Sequence, residues 1–197
     1  MEKSSHLWHY TSCENVGKIL NEGLKLSIGD GERYDYLGRS DMQFLRICFT
    51  NMGIDDNAIH ISKYGKCFIG FNNDWVNQHH ICPVIYCRQN GKLTNILKSV
   101  MSKVDSVTAQ KLCQYCKQYS DYESDNYNGP YEGDIVKLRR YDEHEWRYIP
   151  DGYSQEYLKF TEDDVFAIYV TSAKEKKLLE KDFPKYKGKI KIFKKRA

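Results

Sequence analysis

Three apolar runs of six residues each, at 45–50, 66–71 and 82–87, are rich in β-branched and aromatic side chains and closed on both sides by polar or turn residues. Runs this short are strands rather than helices, and together they predict a central sheet. Helical signals surround them. Thr11 to Glu14 has the spacing of a capping box, and Val16, Ile19 and Leu20 follow before Gly23, which predicts a short helix with both ends written in the sequence. A longer stripe, Ile96, Leu97, Val100, Met101, Val104, Val107, Leu112 and Tyr115, predicts one helix over about 94–119. The end of the chain reads as strand 164–170, a helix opened by the capping box Ser172 to Glu175, and strand 189–193. This order predicts an α+β fold: a single domain over 1–197, with a mixed, mostly antiparallel sheet flanked by helices and ending in a β-α-β unit. A chain of 197 residues is near the common size for one core. Residues 135–147 fit a strand or a helix equally well.

Between these elements lie segments with marked composition. Residues 27–39 hold three glycines and several charges without an apolar period, predicting a loop that carries Tyr34 and Tyr36 and has the character of a lid. Residues 119–134 contain five acids, four tyrosines and no Lys or Arg, predicting a flexible connection or flap and an interaction surface for a partner. Residues 174–197 carry 11 basic and 3 acidic residues, a surface suited to nucleic acid or to simple solvation. Seven cysteines form an odd set in a chain with no export signal, so reduced thiols in the cytoplasm are expected. Cys113-Gln114-Tyr115-Cys116 has the gap of a metal knuckle but lacks a second close pair, so no metal is expected. No apolar run is long enough to span a membrane.

The local signatures of phosphate-binding loops, zinc proteases and hydrolase elbows are absent. Polar residues instead cluster at strand ends. His9, Tyr10 and Thr11 precede the first helix, where a histidine presents a ring nitrogen to an anion or ribose hydroxyl, or is satisfied by backbone. Tyr64 before Gly65 is placed to stack on a flat ring or to pack on the sheet edge. In the run Glu143-His144-Glu145-Trp146-Arg147, an extended backbone puts Glu143, Glu145 and Arg147 on one face. A carboxylate there orients a sugar hydroxyl or stabilises a developing cation, and Arg147 grips phosphate; the alternative is a structural ion pair.

These motifs resemble a known family. Leu7-Trp8-His9-Tyr10-Thr11-Ser12, Ile19-Leu20 with Gly23-Leu24, Cys48-Phe49-Thr50, His60, the run Tyr64 to Gly70 with Trp75, Pro83 to Tyr86, and Glu143 to Arg147 are similar to the abortive-infection G-i (AbiGi) family of phage-resistance antitoxins. The resemblance implies a bacterial phage-defence role, exercised by binding a protein partner: a toxin, or a phage or host factor. More distantly, the order of the motifs is similar to ADP-ribosyltransferases. That likeness implies an NAD-dependent transferase modifying protein or nucleic acid, with His9, Tyr64 and Glu145 as catalytic residues, Glu143 as the substitute for Glu145, and His9, Tyr10, Thr11, Tyr64 and Arg147 holding NAD.

Overall fold

The computed structural model describes residues 6–28, 34–39, 44–53, 58–119, 127–128, 135–136, 143–152 and 154–194. In chain order the elements are β1 (Leu7–Thr11), α1 (Cys13–Glu22), β2 (Leu24–Lys25), β3 (Ser27–Ile28), β4 (Leu45–Thr50), α2 (Ala58–Tyr64), β5 (Cys67–Phe71), α3 (Asn73–Gln78), β6 (Cys82–Pro83), β7 (Ile85–Arg88), α4 (Lys92–Met101), α5 (Ser106–Gln114), β8 (Cys116–Tyr119), β9 (Tyr127–Asn128), β10 (Ile135–Val136), β11 (Glu145–Tyr148), β12 (Tyr157–Leu158), β13 (Val165–Val170), α6 (Ala173–Asp182) and β14 (Ile190–Ile192). The main sheet runs β14-β13-β5-β1-β4-β11-β6, with β3 paired onto β4. Its pairings are antiparallel except β13 with β14, so the sheet is mixed and the chain closes on a β-α-β unit, as its sequence predicts.

Alternation along the strands gives the sheet two faces. Leu7, Ile47, Phe49, Ile69, Phe71, Ile168 and Val170 share one core with Val16, Ile19 and Leu20 of α1, Trp75 and Val76 of α3, and Leu179 of α6. Trp8, Tyr10, Phe68 and Ala167 look the other way, toward Ile61 of α2. A separate core, built from Tyr34, Tyr36, Leu37, Phe44, Cys87, Leu97, Met101, Ala109, Cys113 and Cys116, joins α4 and α5 to the parallel pair β7-β8.

Several expectations are corrected. The helix expected over 94–119 is two helices and a strand. Asp105 caps α5 by accepting from the amides of Val107 and Thr108, which starts a new helix where the stripe seemed to continue. The run 82–87 divides at Val84, so that β6 joins the main sheet and β7 joins β8. Tyr34 and Tyr36 are buried in the second core rather than carried on an open loop. No side-chain cap forms at Ser12, in place of the capping box expected from Thr11 to Glu14. Cys13 and Cys67 are joined in a disulfide across 54 residues, where reduced thiols were expected. The pairing follows from the fold: Thr11 lies opposite Cys67 in the β1-β5 ladder, and Cys13 opens the helix that leaves β1.

The capping box of α6 forms as read, and the region around residues 135–147 resolves as strand at Ile135–Val136 and Glu145–Tyr148. The acidic tyrosine-rich segment 119–134 lies outside the described residues except for Tyr119, Tyr127 and Asn128. The basic C-terminal segment is, through residue 194, α6, a 3-10 turn and β14, packed on the sheet through Leu179, Tyr186 and Ile190. Its Lys189 ammonium donates to the carbonyls of Glu162 and Val165. Among the described residues, no helix is long and apolar enough to cross a membrane.

Candidate functional site

The strands β1 and β4 meet at one register pair, Trp8 opposite Thr50. Beyond it a cleft of about 210 Å3 opens, lined among others by Trp8, His9, Tyr10, Arg46, Cys48, Phe49, His60, Tyr64, Glu143 and Glu145. Where a backbone ladder would continue, the His9 ring bridges instead: its Nδ1 donates to the Cys48 carbonyl at 3.0 Å. Burial lowers the His9 pKa, so the ring is neutral, which fits a donor Nδ1 and an acceptor Nε2.

The floor of the cleft is a buried ionic network centred on Lys117, at the start of β8. Its ammonium donates to Glu143 Oε2 and, at 2.5 Å, to Glu145 Oε2. Lys63 of α2 reaches Glu143 Oε1 at 2.6 Å, and Arg147 Nε reaches Glu145 Oε1 at 2.7 Å. Arg147 is fully buried, and its Nη1 also donates to the Gln114 carbonyl at 2.6 Å and to Tyr34 Oη at 3.3 Å. The Cys48 thiol donates to Glu145 Oε1 at 3.0 Å; burial and the Glu145 charge push its pKa up to about 12, so it stays protonated. Local backbone makes the two glutamates converge. Glu145 and Arg147 alternate inward along β11, whereas His144, at φ 44°, turns the preceding chain so that Glu143 also meets Lys117. The Glu143 carbonyl is fixed by Thr50 Oγ1 at 2.8 Å and His60 Nε2 at 3.0 Å.

Burial by itself would raise both carboxyl pKa values. Lys117 with Lys63 around Glu143, and Lys117 with Arg147 around Glu145, outweigh it, leaving Glu143 below and Glu145 well below the ordinary carboxyl range. Both are therefore ionised acceptors, unsuited to donating a proton at neutral pH. Three cations surround two carboxylates, so the network has no spare negative charge with which to hold a metal ion.

The sequence-based site residues separate into two groups. His9, Tyr10, Tyr64 and Glu145 line the same cleft, with Glu143 beside them. His9 and Tyr10 nonetheless leave β1 on opposite faces: His9 meets Phe49 at 5.8 Å between ring centroids, while Tyr10 stacks on Phe68 at 4.8 Å. Thr11 is buried in the ladder opposite Cys67, and Arg147 is buried behind Glu145; neither lines the cleft. Sequence reasoning missed Lys117, Lys63, Arg46 and Cys48. The signal for Lys117 was available in principle, since two carboxylates on one inward face of a strand require a buried cation, but its position in the chain was not.

Among the described residues, one group has metal-ligand proximity: Cys13, Cys67 and Glu175. Its two sulfurs are bonded to each other, and Glu175 Oε2 caps α6 through Thr171 and Ser172. The Cys113–Cys116 pair is likewise turned to packing, with Cys113 Sγ 3.2 Å from Met101 Sδ inside the second core.

A family model described as "Putative abortive phage resistance protein AbiGi, antitoxin" matches residues 42–194, most of the chain. A relative from Lactococcus lactis subsp. cremoris, named "Abortive phage resistance protein AbiGi", is 27% identical over 142 residues, which cover 61% of this chain and 57% of the relative. The chain thus spans little more than half the length of that relative. No solved structure matches.

Proposed function

This chain belongs to the AbiGi family of abortive phage resistance proteins, and we propose that it acts there as an antitoxin-like protein, by binding a partner protein rather than by catalysis in its cleft. The observation that carries this reading is the state of Glu145. One of its oxygens accepts from Lys117 and the other from Arg147 and Cys48. A carboxylate engaged in this way would have to break charge-assisted hydrogen bonds in a buried setting before it could orient a ribose or stabilise an oxocarbenium ion. The volume of the cleft agrees: about 210 Å3 is below the roughly 300–1,000 Å3 typical of pockets that enclose a drug-sized ligand, and far from enclosing a dinucleotide.

A second reading, NAD-dependent ADP-ribosyl transfer, is favoured by one observation: His9, Tyr64 and Glu145 line the same cleft. One experiment separates the two. Tyr64 is 39% exposed at the mouth, so Tyr64→Ala removes the stacking ring at small cost to the fold. Binding to a partner predicts that tagged wild type and Tyr64→Ala recover the same stoichiometric partner from phage-infected cells, give equal protection in plaque assays, and show no heat of binding to NAD. Transfer of label from NAD to protein or nucleic acid by wild type, lost in Tyr64→Ala, overturns this in favour of the enzyme.

A further inference from the structure

Cys13, Cys67 and Glu175 meet where three elements begin. Cys13 opens α1, Cys67 opens β5, and Glu175 lies in the first turn of α6. The two sulfurs and one oxygen of the carboxylate lie within 4.8 Å of one another, and none of the three residues lines the cleft. The carboxylate has more capacity than the cap of α6 uses: the amides of Thr171 and Ser172 and the Thr171 hydroxyl all donate to Oε2, which leaves Oε1 outside the cap. A tetrahedral zinc ion, with Zn–S of about 2.3 Å and Zn–O of about 2.1 Å, sets its sulfurs about 3.8 Å apart and each sulfur about 3.6 Å from the oxygen. Atoms already within 4.8 Å reach those spacings by side-chain rotation once the sulfurs are no longer bonded to each other. Cys67 is fully buried, whereas Cys13 and Glu175 are half-buried, so the group has a closed back and a way in from solvent.

We propose that the reduced chain binds a zinc ion at this junction, on the Cys13 and Cys67 thiolates and Glu175 Oε1, with water in the fourth position. The ligand set chooses the metal. Magnesium and calcium take oxygen ligands, whereas two thiolates with a carboxylate suit zinc. Cys13 stands at the N-terminus of the ten-residue α1, where the helix favours a thiolate. Thr171 and Ser172 fix the other carboxylate oxygen, as outer partners of a metal ligand do. A dithiol reductant opens the site by exchange: its two thiols become a disulfide, and Cys13 and Cys67 take up the two hydrogens. Zinc(II) then displaces both protons and gains no electron. The same two sulfurs serve both states, so the disulfide and the ion exclude each other. Oxidised, the start of α1 is clasped to β5 by a covalent bond; reduced, it is clasped by zinc, which adds α6 to the junction.

The test uses the full chain, reduced with a dithiol and desalted without oxygen, and titrates zinc chloride against a chromophoric chelator. Reduced wild type should take up one equivalent that the oxidised chain and reduced Cys13→Ser do not. Glu175→Gln keeps a side chain able to form the α6 capping box, so the fold stands while the affinity falls by at least about tenfold. Cys82→Ser, a change at an exposed free cysteine, should leave uptake intact. Cobalt(II) in place of zinc should give thiolate-to-metal charge transfer and the intense visible bands of a four-coordinate ion. Zinc should also slow re-formation of the disulfide under oxidised glutathione. No uptake by reduced wild type, equal uptake by the oxidised chain or by reduced Cys13→Ser, an unaltered affinity in Glu175→Gln, a cobalt spectrum without thiolate charge transfer, or an unchanged rate of reoxidation each overturns the proposal.

Discussion

His60 presents a buried base to the cleft. Its Nε2 donates to the Glu143 carbonyl, and its Nδ1 is a buried acceptor without a hydrogen-bond partner among the described residues. Burial, opposed by Glu143 and aided by Lys117 and Lys63, lowers its pKa from 6.5 to about 4. Between these values the unfolded chain takes up a proton that the folded chain refuses, so folding stability is full above pH 6.5 and falls as the pH drops toward 4. At 1.36 kcal/mol per unit the loss amounts to roughly 3 kcal/mol at its limit. Urea unfolding from pH 7.5 to 5 should show the midpoint falling below pH 6.5, and His60→Gln should flatten that slope. An unchanged slope would mean that the imidazole titrates freely in the fold. Glu143 and Glu145, held below the ordinary carboxyl range, add their own loss only at more acidic pH. Of these residues, the inward alternation of Glu145 and Arg147 was legible from a period of two. Their cation was not, because Lys117 follows the second of two helices that the sequence pattern ran together, and nothing local ties it to residues 26 and 28 positions later.

At the scale of elements, the junction between α2 and β5 places one wall of the cleft. Gly65 sits there at φ +116°, and a Cβ on it would lie 2.4 Å from the Thr11 carbonyl oxygen. Gly65→Ala should therefore cost about 3 kcal/mol, from backbone strain together with a clash against the β1 backbone. Thermal or urea unfolding measures it, and a loss below about 0.5 kcal/mol would show that α2 can pivot freely. The short strands and the terminal β-α-β unit were readable because each lies within one uninterrupted apolar run whose neighbours do not change its period. The stretch 94–119 was not, because Ile96 and Val100 are outward-facing while Leu97 and Met101 are inward-facing, so two separate apolar faces of α4 blend into one apparent stripe. The Asp105 cap was visible in the sequence as Asp followed by Ser106-Val107-Thr108, and it outweighs the continuing hydrophobic period. Pro83 marks the other break: it lacks an amide to continue a ladder, and β6 ends there.

For the molecule as a whole, the Cys13–Cys67 disulfide closes a loop of 54 residues that includes β2, β3, β4 and α2. Loop-closure entropy for that length predicts about 4 kcal/mol of stabilisation in the oxidised chain. Denaturation with and without a dithiol reductant should show a lower urea midpoint after reduction, and the difference should vanish in Cys13→Ser. Equal midpoints in both states would show that the bond does not constrain the unfolded ensemble. The strand order of the main sheet has a consequence of another kind. The interior strand β5 is flanked by β1, which precedes it in the chain, and by β13, which follows it only after α3 to β12. One edge of β5 therefore stays open until β13 has been made. With pairings that link residue 7 to 71 and 165 to 71, the sheet has the non-local contacts of slow folders of high contact order, which reach their native state in milliseconds to seconds.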